Sequence, residues 1–95
     1  MKRRRCLVAY DIADPKRLRL VHKKVLGYGD AMQYSVFVCD LTSAERSDLL
    51  NDLIEIIDSS VDRIAVVDLG DPLVVKALKF LGRPPLLPSS GTTVV

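Results

Sequence analysis

In "VAYDIADPKR", residues 8–17, an apolar run ends on Asp11, a second carboxylate follows at Asp14, and a proline and a basic cluster come directly behind. Carboxylates at a strand end beside Lys and Arg have the chemistry of a Mg²⁺ site for phosphodiesters: hard oxygens for a hard cation, and positive charge for the substrate phosphates. Of the two, Asp11 is the candidate ligand, because Asp14 has a structural explanation of its own as a helix cap. Asp-x-x-Asp is a common pattern, so the residue types alone also fit plain packing or solvent exposure. Asp40 and Asp68 end strands too, and each reads as readily as a loop residue. His22, the single histidine, falls mid-helix among bases, where solvent or a phosphate is a better partner than a substrate proton. Cys6 and Cys39 sit inside apolar runs with no histidine nearby, the setting of buried reduced thiols rather than of a disulfide or metal framework. Gly27 and Gly29 follow a helix instead of opening one, so they form no phosphate loop, and no RNP-type aromatic sequence occurs.

Charge gives the second signal. Residues 1–24 hold nine of the 14 Lys and Arg against two acids, and residues 25–95 hold five bases against ten acids. The first quarter is strongly cationic although the whole chain is only +2. Such asymmetry points to a polyanionic partner, DNA or RNA. Arg17, Arg19 and Lys23, on one short basic helix without interleaved acids, are the candidate nucleic-acid contacts. The plainer alternative is that these side chains only solvate the helix.

The elements that must position these groups follow from periodicity and caps. Cys6 to Asp11 reads as a strand, and its apolar residues on both faces predict a central, buried one. Asp14 followed by Pro15 fits the N-cap and N1 preferences of a helix. Its apolar face is Leu18, Val21 and Val25, with Lys16, Arg17, Arg19, Lys23 and Lys24 over the rest and Gly27 and Gly29 at its end. Residues 31–40, "AMQYSVFVCD", are extended, either one bent strand or two short ones broken near Tyr34 and Ser35. Thr42 and Glu45 form a capping box for a helix through Leu49, Leu50, Leu53, Ile54 and Ile57 that ends near Ser59 and Ser60. Residues 62–70 are a further strand. This order predicts an α+β sandwich with two helices on one face of a sheet.

With 95 residues and 48% hydrophobic composition the chain fits one small domain, which association would help to stabilise. Residues 1–70 read as the core domain. Residues 71–95 are an apolar, proline-rich tail that nothing in the chain obviously covers, suited to adding an edge strand to a second copy. The basic start is followed by only five apolar residues before Asp11, too few for a signal peptide, and no stretch reaches membrane-spanning length. A cytoplasmic protein with no membrane partner is expected.

Taken together, "YDIAD" at 10–14, Arg17, "GYG" at 27–29, "QYSVF" at 33–37 and the strand "DRIAVVDLG" resemble the second universal CRISPR-associated protein of the spacer-acquisition module, the Cas-two family. The likeness is close over residues 6–70 and loose in the tail. It implies a ferredoxin-like βαββαβ fold, hence two strands within 31–40, and a symmetric homodimer with an extra C-terminal strand pairing between subunits. It further implies that Asp11 meets its copy across the dimer and holds Mg²⁺ for a metal-dependent endonuclease, with Tyr10, Ser35 and Phe37 supporting the site and Arg17 contacting phosphate. Two departures stand out: Ala31 occupies a place where many members carry arginine, and Pro15 replaces a frequent second acid. The resemblance is compatible with two functional classes. One is a Mg²⁺-dependent endonuclease acting on RNA or DNA in spacer acquisition and antiviral defence. The other is a non-catalytic adaptor that bridges the CRISPR integrase and holds duplex DNA. A small dimeric interaction module without nucleic acid is the third, plainer class.

Overall fold

The computed structural model describes residues 2–73, 78–82 and 92–94. The elements are β1 (Arg4–Asp11), α1 (Pro15–Leu26), β2 (Asp30–Gln33), β3 (Val36–Leu41), α2 (Ser43–Ile56), β4 (Arg63–Gly70), β5 (Leu78–Phe80) and β6 (Thr92–Val94). The first four strands form one sheet in the order β2-β3-β1-β4, with every described pairing antiparallel. This is the ferredoxin-like βαββαβ arrangement, with β1 at the centre of the sheet. The extended stretch is broken at Tyr34 and Ser35, giving two strands joined by a tight turn.

Short-range chemistry explains the helix starts. The Asp14 carboxylate accepts the Arg17 amide at 2.9 Å and Pro15 occupies the first helical position, so α1 begins without an unanswered N–H there. In α2 the Thr42 hydroxyl accepts the Glu45 amide while the Glu45 carboxylate accepts the Thr42 amide, the reciprocal capping box. α2 ends slightly earlier than expected, at Ile56. The Asp58 carboxylate takes the Ser60 amide and hydroxyl and folds the chain into a turn instead.

The core lies between the sheet and the two helices. Cys6, Val8 and Tyr10 of β1 meet Phe37, Cys39 and Leu41 of β3, covered by Val21 and Val25 of α1 and by Leu49 and Leu53 of α2. Tight packing requires Gly29: a Cβ there would stand 2.3 Å from the Val38 carbonyl oxygen and 2.5 Å from the Cys39 sulfur. The two thiols are free, buried and paired directly across β1 and β3. Contact with Cys6, followed by burial, pushes the Cys39 thiol up.

One expectation is corrected. β1 is central but not buried on both faces, because both helices lie on the same side of the sheet. Leu7 and Ala9, on the other side, are only half-buried, and Val67 on β4 is exposed. The second apolar face is left open by this chain among the described residues. In the tail, β5 and β6 pair with each other in parallel. Much of the proposed dimerisation tail, residues 74–77 and 83–91, lies outside the described residues.

Candidate metal site and nucleic-acid interface

Asp11 is the last residue of β1, and strand alternation places it with Leu7 and Ala9 on the open face. It is exposed, and among the described residues its carboxylate makes no hydrogen bond or ion pair. Its register partner is Arg63 on β4, also exposed and also without an ion pair. A hollow of about 590 Å³ lies beside them, lined by Asp11, Arg63 and Ala65 among others.

The neighbouring carboxylates are differently employed. Asp14 caps α1. Asp62 is fully buried and accepts four hydrogen bonds: from the Ala13 amide at 2.9 Å, the Asp58 amide at 2.8 Å, and Arg17 Nε and Nη2 at 2.8 and 3.3 Å. This cluster ties the loop after β1 to the first turn of α1 and to the connection entering β4. The Arg17 guanidinium, then the backbone amides, hold the Asp62 carboxyl well below the usual carboxylate range. Asp62 was not singled out in the sequence, since nothing local distinguishes it.

Asp11 can hold a hard cation. Mg²⁺ is bound through one or two carboxylates, with waters and substrate phosphates completing its shell. Among the described residues no three His, Cys, Asp or Glu side chains gather as a ligand set, so this chain contributes a single carboxylate at that position. Such a donor suits Mg²⁺, which keeps several waters, better than zinc, whose sites take three or four protein ligands.

The supporting residues are behind the carboxylate. Tyr10 points into the helix-covered face, stacks on Phe37 at 6.1 Å between ring centroids, and shares its hydroxyl with His22 Nδ1 at 2.9 Å. Burial pushes the Tyr10 phenol up from its ordinary value. Ser35 contributes its backbone carbonyl, which accepts the Tyr10 amide at 3.1 Å and pins the turn to the end of β1. Phe37 is fully buried. Tyr10, Ser35 and Phe37 therefore gather at the Asp11 end of the sheet, as architecture around it.

The basic residues sort into two groups. Lys2, Arg3, Arg4, Arg5, Arg17 and Lys24 each pair with an acid: Asp71, Glu45, Asp68, Asp40, Asp62 and Asp52. Lys16, Arg19 and Lys23 have no such partner among the described residues, and all three are exposed. At about 100° per residue they fall on one stripe along the outside of α1. Arg19 and Lys23 thus remain available for phosphate, Lys16 joins them, and Arg17 is held by a buried carboxylate with only 27% of its side chain exposed. The stripe lies on the helix layer, whereas Asp11 looks out from the open side of the sheet.

Comparison with known proteins agrees with this geometry. The family model for CRISPR associated protein Cas2 matches residues 4–76. The chain is 47% identical over 78 residues to a CRISPR-associated endoribonuclease Cas2 of Rhodospirillum rubrum, covering 81% of this chain and 76% of that one. It resembles the crystal structure of a hypothetical protein from Thermus thermophilus, with a TM-score of 0.78, 29% identity, and 90% and 98% of the two chains covered. The crystal structure of Streptococcus pyogenes Cas2 matches with a TM-score of 0.62 and 42% identity, over 65% of this chain and 81% of that one. With the ferredoxin-like sheet, the strand-end carboxylate and these matches in agreement, the chain belongs to the Cas2 family of CRISPR-associated proteins.

Proposed function

We propose that the chain is a Mg²⁺-dependent endonuclease of the CRISPR adaptation machinery, active as a homodimer in which two copies of Asp11 share the ion. The observation that carries this reading is the exposed Asp11 at the end of the central strand, opposite Arg63 and, like it, without an ionic partner among the described residues. The half-open second face of the sheet, with Leu7, Ala9 and Val67, supports association of two copies. Brought together by a two-fold axis, two Asp11 carboxylates repel one another unless a cation lies between them. Mg²⁺ at that place would supply charge neutralisation of the phosphate and an acidified water. In this chain Asp11 would hold the ion, Arg63 would attract the phosphodiester, and the Asp62 cluster fixes the loop between Asp11 and the first turn of α1. The names of the curated relatives, endoribonuclease and endonuclease, point to the same reaction class.

The test is Asp11→Asn, which conserves shape. Mg²⁺-dependent cleavage of RNA and DNA should fall by more than about a hundredfold, while the dimer in chelator, measured by sedimentation, becomes no weaker and, with the carboxylate repulsion gone, equally or slightly more stable. Cleavage persisting at the wild-type rate in a preparation free of contaminating nuclease rejects the shared-carboxylate site. A second reading is favoured by one specific feature: the unpaired stripe of Lys16, Arg19 and Lys23 needs no carboxylate in order to bind duplex DNA. In that reading the dimer is an adaptor bridging the CRISPR integrase, and Asp11→Asn leaves spacer acquisition intact.

A further inference from the structure

Tyr34 stands at the tip of the turn between β2 and β3 with 66% of its surface open, yet its ring is not loose. One ring face rests on His22, with centroids 5.2 Å apart and planes within 19°. His22 in turn meets the buried Phe37 edge-on at 5.4 Å. The Tyr10 hydroxyl lies 3.2 Å from the Tyr34 carbonyl, which accepts from it, and 2.9 Å from His22 Nδ1, tying the turn to the same ring. A column of rings therefore runs from the core to the surface and ends in an aromatic face turned to solvent. His22 lies one helical turn after Arg19 and next to Lys23, two of the three bases on the unpaired stripe.

We propose that Tyr34 is a stacking platform for an unpaired nucleobase, and that Arg19 and Lys23 hold the phosphates of the same single strand. The proposal rests on the nucleic-acid-binding part of the reading above and is independent of cleavage. Three physical features favour this occupant. The ring is ordered before anything binds, so little side-chain entropy is lost on contact. Any base has a face to offer, whereas in a duplex those faces are already stacked on one another, so the platform discriminates strand state and not sequence. The positive charge of Arg19 and Lys23, which flank His22 on α1 and have no acid partner among the described residues, complements a polynucleotide backbone and would repel a basic protein surface.

The experiment uses the full-length protein with single-stranded RNA, single-stranded DNA and duplex DNA of one length, measured by fluorescence anisotropy. Tyr34→Ala should weaken single-strand binding by about five- to a hundredfold, and Tyr34→Phe, which keeps the ring, should stay within about twofold of wild type. Duplex affinity and the salt dependence of all three ligands should be unchanged by either substitution. The RNA and DNA arms identify which strand uses the platform, and a loss in either supports it. Tyr34→Ala binding single strands as wild type does, or losing single-strand and duplex affinity equally, overturns the platform. So does a weaker dimer in sedimentation of Tyr34→Ala, which would assign the ring to a protein contact. Wild-type protein that binds neither strand form overturns the nucleic-acid reading itself and the platform with it.

Discussion

The two ends of β1 carry similar charge in the sequence and use it in opposite ways. At its start Lys2, Arg3, Arg4 and Arg5 are all matched by acids from the later part of the chain, Asp71, Glu45, Asp68 and Asp40. Asp68 also takes Arg46 of α2 at 3.9 Å, which fastens β1, β4 and α2 together. At the far end Asp11, Arg63 and the outer stripe of α1 have no ionic partners among the described residues. Of the nine bases in the first quarter of the chain, six are thus architecture and three are available surface. Counting bases along the sequence overstates the polyanion-binding surface, because the fold returns distant acids to the amino-terminal end.

The largest effect expected from breaking this contrast is at Arg5. Its side chain is fully buried and its Nε and Nη2 meet the two Asp40 oxygens at 2.8 and 2.9 Å. Arg5→Ala empties a fully buried site and leaves the partly buried Asp40, 24% exposed, without its guanidinium, so it should cost about 2–3 kcal/mol in denaturant unfolding. Nucleic-acid affinity under folding conditions should barely change. A loss below about 0.5 kcal/mol would place Arg5 with the ordinary surface bases.

Next in size is the available surface. Replacing Lys16, Arg19 and Lys23 together with Ala should lower the log-log salt slope of duplex binding by about 2.7, at about 0.9 per neutralised phosphate. Stability should be unaffected. The matching control, Arg3 and Arg4 replaced together, should leave the slope unchanged, since those charges already answer Glu45 and Asp68. Equal slope losses in both variants would erase the distinction between the two ends.

The Asp62 cluster gives a pH test. Because Arg17 and the Ala13 and Asp58 amides hold the folded carboxyl below its ordinary value, Asp62 stabilises the fold above the unfolded value of about 3.9, and that contribution fades as pH falls below it. Stability should therefore drop on the acid side. Asp62→Asn, already destabilised at neutral pH, should show a flatter acid limb in thermal melts taken from pH 6 down to pH 2. A parallel acid limb in both proteins would show that other carboxylates carry the effect.

How much could be read in advance depended on range. Asp14, Pro15, Thr42 and Glu45 act within four residues of themselves, and the helix starts they specify are found where their spacing places them. The break at Tyr34 and Ser35 was one of two readings the residues left open, because "AMQYSVFVCD" is β-prone on both sides of it; the family likeness implied two strands. Asp62 was illegible for a different reason: its bonds to Arg17 and Ala13 span 45 and 49 residues. The same distance hid the ion pair that Arg17 makes with the buried Asp62. Likewise, apolar residues on both faces of β1 state that both need cover, not that this chain supplies it. Asp11 and Arg63 are a partial case. Position at a strand end marked the first, but only the register of β4 brings the second opposite.

The smallest effect offers the finest test, because it concerns neighbours in sequence. Lys23 and Lys24 are adjacent, yet a rotation of about 100° separates them on α1. Lys24 turns toward α2 and lies 3.6 Å from Asp52, in a pair whose side chains are both more than 40% exposed. Lys23 stays on the outer stripe. A half-exposed pair of this kind contributes about 0.2–1 kcal/mol at most, so Lys24→Ala should lower stability slightly and leave the salt slope of binding unchanged. Lys23→Ala should do the reverse, reducing the slope by about 0.9 without altering the melt. If the two variants behave alike, the availability of a base on α1 is not decided by its pairing, and the division of the cationic segment into architecture and surface fails at its closest point.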